Sequence, residues 1–381
     1  MSIRSKFASI AVLAALAGPG IAAGQSNGLD SRSTMHITLP EDSPVTVVSA
    51  DWGESTASPR GGAMLLDLHT SLSLRNSSNR RIRGVTLLVQ AQEVTPGGKA
   101  SVSVPSLNVP AGQNFPVRID LRLLRPLQSG NGPLVEIQLD GVLFDDLSFY
   151  GPNRLNSRRS MTIWELEARR DRRHFRSVLE SRGREGLREE MLASLDRQAD
   201  RIQMDARVAQ SGRSTSTRNE RQIELAFLQI PNSAVSADSG MVRVADNEAR
   251  SPRIFIRNQT EKPVRGIELG WLVKDTRGRE FVAGAIPMDV NLLPRQKTTL
   301  VQDVTLRFTQ PGGSPIPIQE MTAYLTSVEF EDGQMWVPER SSRWPTPSPE
   351  EQRLTEIYRK RGIDATVQEL NRFQQNARPG Q

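Results

Sequence analysis

Cysteine is absent from this chain of 381 residues, so it holds no disulfide, no zinc–thiolate centre and no thiol nucleophile. Histidine is nearly absent as well. His36, His69 and His174 lie far apart, which leaves metal-hydrolase and Ser/His/Asp chemistry few candidate residues. Long apolar runs are missing. The one apolar stretch of note, Phe7 to Ala17, is too short and too broken to span a bilayer. Charge of a single sign is missing too, because the abundant arginines are interleaved with Glu165, Glu167, Asp171, Glu185, Glu189 and Glu190. With few aromatics besides, nucleic acid is not expected as a partner. No motif calls for a cofactor or a metal, and none is expected.

The N-terminus has the anatomy of an export signal. Arg4 and Lys6 precede the apolar stretch, Gly18-Pro19-Gly20 breaks it, and Ala22-Ala23-Gly24 offers small residues for cleavage before Gln25. The formal net charge of +6 falls by the two charges of Arg4 and Lys6 to +4 in the processed chain. With no cysteine after the stretch, lipid anchoring there is excluded. An extracytoplasmic protein, periplasmic or secreted and not membrane-spanning after cleavage, is expected.

The strongest positive feature is an internal repeat. Arg75, Asn76, Arg83, Gly84, Val85 and Leu87 recur as Arg257, Asn258, Arg265, Gly266, Ile267 and Leu269 at one constant offset. Further on, Pro110 is echoed by Pro294 and Leu121-Arg122-Leu123 by Leu306-Arg307-Phe308. Phe144-Asp145-Asp146, Phe149-Tyr150, Pro152 and Arg154 return as Phe330-Glu331-Asp332, Met335-Trp336, Pro338 and Arg340. Short apolar segments separated by turn residues fill each copy. In Val117-Arg118-Ile119-Asp120-Leu121-Arg122-Leu123 every second residue is apolar, the signature of a strand with one buried and one wet face.

Seven short strands in about 110 residues, with a Phe-acid-acid hairpin near the end of each copy, resemble the Ig-like β-sandwich modules of secreted bacterial proteins. The resemblance is at class level, and the Ig Cys-Trp-Cys signature is missing. Between the copies the period changes to helical. Trp164, Ala168, Phe175, Val178 and Leu179 share a face, then Leu187, Met191, Leu195, Ala199 and Ile202, with Arg182-Gly183 as the turn between them. The C-terminus echoes this around Arg361-Gly362. The expected class is therefore mainly β with helical appendages: two tandem Ig-like antiparallel β-sandwiches, each followed by a helix pair. The expected boundaries are a signal peptide over 1–24, a lead-in over 25–43, sandwich 1 over 44–155 and helical appendage 1 over 156–207. A linker over 208–231, sandwich 2 over 232–341 and a helical appendage and tail over 342–381 complete the chain.

Several residues are candidates for chemistry. Asp145, Asp146, Glu331 and Asp332 are carboxylate pairs at matching positions, but neighbours on a strand point to opposite faces and Asp332-Gly333 is a standard hairpin turn. The turn reading is preferred over catalysis or calcium ligation. Asn76-Ser77-Ser78 and Asn258-Gln259-Thr260 match a glycosylation pattern, yet an Asn closing the same turn twice explains them better. His174 reads as part of a solvated helix face. Tyr150 and Trp336 share a repeat position and serve either as core seals or as a partner platform. Partner binding is assigned to Trp164, Phe175, Tyr150, Trp336, Arg169, Arg170, Arg172 and Arg173. The functional expectation is an exported, non-catalytic binding or assembly module of the bacterial cell envelope, with an envelope protein or polysaccharide as partner. The alternative is a lectin-like accessory module or a weak carboxylate-dependent hydrolase.

Overall fold

Alternation of apolar and polar residues along β-branched segments makes strands the dominant element of this chain. The computed structural model describes residues 27–28, 35–91, 97–126, 135–199, 202–210, 220–341 and 344–374. The export signal read at 1–24 and the end of the C-terminal tail lie outside these residues. The chain divides into two compact units, one reaching to Glu165 and the other starting at Leu166.

Unit 1 contains β1 (Asn27–Gly28), β2 (Met35–Thr38), β3 (Val45–Asp51), β4 (Thr56–Arg60), β5 (Ala63–Asn76), β6 (Ile82–Gln90), β7 (Lys99–Val104), β8 (Asn114–Pro126), β9 (Val135–Phe144) and β10 (Phe149–Tyr150). They form two open sheets of five strands each. In the first, β8 pairs along the length of β5, while β3 and β4 share the other edge of β5 and β1 extends β4. In the second, β6 lies between β7 and β9, and β9 also carries β10 and, in parallel, β2. Both sheets face one core. Leu66, Leu68, Leu72 and Leu74 of β5 and Phe115, Val117, Ile119 and Leu123 of β8 meet Val85, Leu87 and Val89 of β6 and Val135, Ile137 and Val142 of β9 there. The predicted alternation from Val117 to Leu123 thus sets the buried face of β8.

A helix α1 (Ser157–Ala199) begins in unit 1 and continues into unit 2. Its start is seated on β6, where a Cβ on Gly84 would come within 2.9 Å of Met161 Sδ. The repeated glycine at this point is a packing requirement.

Unit 2 contains β11 (Ile202–Gln210), β12 (Arg221–Phe227), β13 (Val235–Ala245), β14 (Glu248–Asn258), β15 (Val264–Asp275), β16 (Glu280–Leu292), β17 (Lys297–Val301), β18 (Val304–Thr309), β19 (Ile318–Phe330), β20 (Met335–Trp336) and α2 (Pro349–Gln374). Eight of these strands close into a mixed barrel in the order β12, β13, β14, β18, β11, β16, β15, β19 and back to β12. Two strands make the closure. β11 runs antiparallel to β18 and then parallel to β16, and β12 pairs first with β13 and then, in parallel, with β19. Trp271, Phe281, Phe308, Ile256 and Leu306 fill the interior, each no more than 1% exposed.

The expectation of tandem Ig-like β-sandwiches with helix pairs is therefore overturned: the chain has one closed eight-stranded barrel and two small open sheets. The strands that decide this fall where the sequence was read as helix end and linker. Residues 208–231 hold the end of β11 and all of β12, and Ile202, placed above on a helix face, opens β11. The helix pairs are corrected as well. Each predicted pair is one helical element broken at a single glycine, Gly183 (φ 68°) in α1 and Gly362 (φ 77°) in α2, after which helical geometry resumes at once.

The repeat survives at the level of pairing. Gly84 pairs with Leu143 and Gly266 with Glu329, and Arg75 pairs with Asn114 and Arg257 with Lys297, the same registers at the repeat offsets.

Candidate functional site

The two buried asparagines close identical turns. Asn76 donates through Nδ2 to Arg80 O (2.7 Å) and Val109 O (3.0 Å), and its Oδ1 accepts from Ser78 N (3.0 Å). Asn258 donates to Lys262 O (2.8 Å) and Leu293 O (3.0 Å) and accepts from Thr260 N (2.9 Å). The glycosylation-like pattern coincides with these turns.

The carboxylate pairs sit at hairpin tips. Asp146 accepts from Ser148 N (3.0 Å) and pairs with Arg80, and Asp332 accepts from Gln334 N (2.9 Å) and pairs with Lys262 (2.7 Å). Burial opposes ionisation of Asp146, but the Ser148 bonds and Arg80 prevail and hold its carboxyl below the usual range. Lys262, with the Gln334 amide, lowers Asp332 likewise. Both carboxylates are held as anions by their own turns. His174 Nε2 donates to the Glu190 carboxylate (3.2 Å) across the break in α1.

Tyr150 and Trp336 occupy the same register, opposite Val142 and Val328, and both are half-buried against their cores. Tyr150 donates its hydroxyl to Asp42 (2.6 Å), and burial together with that carboxylate pushes the phenol up to about 12. Trp164 is half-buried on the part of α1 that belongs to unit 1.

Within unit 2 the helical stripe is covered. Phe175, Leu187 and Met191, from both sides of Gly183, pack with Leu354 and Leu370 of α2, all fully buried. Around this apolar centre runs a network of charges. Arg170 donates to Asp171 (2.9 Å) and to Pro338 O (2.8 Å), and Arg172 pairs with Glu350 (3.3 Å) and lies over the Phe373 ring (4.1 Å). Arg340 stacks on Phe175 (4.6 Å) and pairs with Glu351 (2.8 Å), Glu190 (3.4 Å) and Asp171 (3.5 Å). Of the four helix arginines read as a partner-binding cluster, Arg170 and Arg172 are buried, Arg169 is half-buried and Arg173 is exposed.

Electrostatics follow from this arrangement. The His174 hydrogen bond, with Arg340 and Arg197 and against the cost of burial, lowers Glu190 to about 2. Glu167 moves the other way. Burial, reinforced by Asp171, Glu268 and Glu351 against the pull of Arg170, pushes its carboxyl to about 7. A shallow cleft of about 290 Å³, much of it open to solvent, lies beside the network between Arg197, Gln198, Arg340, Trp344 and Pro347.

The exposed apolar residues gather elsewhere. On the outer wall of the barrel Met241, Arg253 and Val301 stand in one cross-strand row, with Met241 43% and Val301 60% exposed. The following rows on the same face bring Phe255 beside Thr299 and Arg257 beside Lys297. Among the described residues Arg253 and Lys297 have no ion-pair partner, and Arg257 Nε is buried without one. Sequence reasoning missed this wall because its residues are scattered over three strands. It also missed Arg340 as the hub of the helical network, although the repeated Arg154 and Arg340 marked the position. Arg154 in unit 1 is exposed and bonds Gln138 (2.8 Å).

No protein-family model matches the chain, and no curated protein matches it. Among solved structures it is similar to a β-glucosidase from Kluyveromyces marxianus, with 8% identity and a TM-score of 0.14 over 68% of this chain and 45% of that one. It is also similar to the vicilin of Corylus avellana, with 11% identity and a TM-score of 0.08 over 69% of this chain and 81% of that one. The chain thus spans less than half the length of the β-glucosidase. Likenesses of this size carry no argument for fold or function.

Proposed function

We propose that this chain is an exported, non-catalytic binding or assembly module of the bacterial cell envelope, engaging an acidic protein surface through the outer wall of its barrel. The observation that carries the reading is the exposed row Met241, Arg253, Val301 with Phe255, Arg257 and Lys297 beside it. Methionine, arginine and aromatic side chains are the residues enriched at the centres of protein interfaces. Cations that lack an internal partner are available to a carboxylate brought by another molecule. No helix among the described residues is long and apolar enough to cross a membrane. Asp146 and Asp332 are engaged in turns and ion pairs, so they lend the hydrolytic alternative no support.

The test is affinity capture of the tagged protein from its native envelope, with and without the double change Arg253→Glu and Val301→Asp. Both positions are exposed, so the fold should be kept. Partner recovery should fall at least about tenfold, the loss of some 1.4 kcal/mol at an interface centre. Undiminished recovery by a variant of unchanged melting temperature would remove the barrel wall from the interface.

A further inference from the structure

The two units differ at one strand edge. In unit 2, β18 has β14 on one side and β11 on the other, with Asp205 to Gln210 pairing against Thr309 to Val304. The start of β11 then continues onto β16 at Phe281 to Ala283. Unit 1 has counterparts of both edges. Leu121-Arg122-Leu123 of β8 stands for Leu306-Arg307-Phe308, and the same ion pair recurs: Arg122 with Asp67 (3.0 Å) and Arg307 with Glu248 (2.5 Å). Ala100 of β7, paired with Val89, stands for Ala283, paired with Trp271. Yet among the described residues no strand lies on the outer edge of β8. The segment that by chain order would match β11 lies ahead of β2, and its described part, β1, pairs with β4 instead.

Two observations mark this edge as unpaired among the described residues. Two apolar residues sealed in unit 2 are only half-covered at the matching places in unit 1: Leu306 is 1% and Ala283 0% exposed, whereas Leu121 and Ala100 are each half-buried. The backbone agrees. Asn76 N donates to Gln113 O (2.9 Å), which turns the odd-numbered residues of β8 toward β5 and the even-numbered ones outward. Leu124 N, outward by that count, donates to Gly97 O (3.1 Å), and before it the peptide groups of Arg118, Asp120 and Arg122 face away from β5.

We propose that this edge of β8, from Arg118 to Arg122, accepts an extended segment of another polypeptide, added antiparallel as β11 is added to β18. The segment would carry small or medium apolar residues at every second position, as β11 carries Met204 and Ala206 toward the core, and would cover Leu121 and Ala100. Main-chain hydrogen bonds supply affinity in such strand addition, and the alternate side chains supply selectivity. Charges and proline commonly protect sheet edges, and β8 has Pro116, Arg118 and Asp120. Charge alone does not close such an edge, because Arg307, the counterpart of Arg122, is charged and β11 pairs with β18 there. The surface is separate from the barrel wall, so either can fail alone.

The probe is a fluorescently labelled peptide with the sequence of residues 202–210, titrated into the full chain. Saturable binding is expected, with new amide protection at residues 118–122. Asp120→Pro removes an outward N–H without touching the β5 ladder and should weaken binding at least about tenfold while the melting temperature holds. If that variant is destabilised, Arg118→Pro makes the same test one outward position earlier. Absence of binding, equal binding by a folded proline variant, or protection confined to β16 and β18 overturns the proposal. A dimer of the full chain that Asp120→Pro dissociates assigns the edge to a second copy and overturns a separate partner.

Discussion

At the residue scale the repeat exposes positions where one copy is strained and the other is not. Leu147 and Gly333 hold the same place in the two hairpins, and both take the left-handed conformation, with φ of 66° and 78°. Each donates its amide to the repeated phenylalanine, Leu147 to Phe144 O and Gly333 to Phe330 O, at 3.0 Å. A leucine pays for that conformation in steric repulsion that glycine escapes. Leu147→Gly should therefore stabilise unit 1 by about 1 kcal/mol, read as a rise of roughly 2–4 °C in its thermal transition. Glu167 supplies a pH-dependent case. Its carboxyl is raised from the ordinary 4.5 to about 7, so between those values the folded chain keeps a proton that the unfolded chain has released. Stability from this group is present below pH 4.5 and is lost as pH rises through about 7. Glu190, lowered to about 2, contributes with the opposite sign: its stabilisation is present above 4.5 and is lost as pH falls through about 2. Replacing Glu167 by Gln should flatten the decline in melting temperature between pH 5 and 8 and raise the melting temperature at pH 8. An unaltered slope would mean that Glu167 ionises normally in the folded protein.

At the scale of elements, the helices are held by charge as much as by apolar contact. Arg340 comes from the segment between β20 and α2, yet it touches Phe175, Asp171 and Glu190 of α1 and Glu351 of α2. Its removal leaves Asp171, fully buried, and Glu351, nearly so, with part of their compensation gone. Breaking a buried pair from one side costs about 3–5 kcal/mol, so Arg340→Ala should lower the thermal transition of unit 2 by many degrees. Arg340→Lys should recover only part, since an ammonium cannot stack on Phe175 while spanning three carboxylates. Arg173→Ala, at an exposed position, should change the melting temperature little. The helices themselves were legible in the sequence from the stripe of Phe175, Val178, Leu187 and Met191 and from the breaks at Gly183 and Gly362. Their destination was not, because a 3.6-residue period says that a face is buried and does not name what covers it. Strands with regular alternation were legible for the same local reason, as from Val117 to Leu123. β11 and β12 escaped because each changes partner midway. Met204 and Ala206 alternate inward, but Ile202 and Val208 are 43% and 47% exposed, so the apolar period that marks a half-buried strand is blurred.

For the whole molecule, those two strands decide which stretches of chain can fold. Without β11 and β12 the second copy has, like the first, two strand sets with no pairing between them, β13, β14, β17 and β18 on one side and β15, β16 and β19 on the other, although the first copy also keeps β2 on β9. The first copy manages in that state because its two sheets are bridged by a core containing Phe115, Phe144 and long leucine rows. The second copy has adapted its interior to closure. Met204 and Leu225, contributed by β11 and β12, are 6% and 5% exposed and pack in the same cluster as Trp271 and Phe281. Loss of both strands uncovers that cluster and leaves the ladder groups of β16, β18, β13 and β19 without partners, where a single buried unpaired group costs about 1–3 kcal/mol. A fragment of residues 232–348 should therefore fail to give a cooperative thermal transition, although its boundaries look complete from strand count. Extended to residues 200–348, it should give a β-rich circular dichroism spectrum with a single cooperative transition. Mixing the short fragment with a separate peptide of residues 200–228 should restore that transition in a concentration-dependent way, because both missing strands lie within it. A short fragment that melts cooperatively by itself would show that the barrel strands are additions to an already stable pair of sheets.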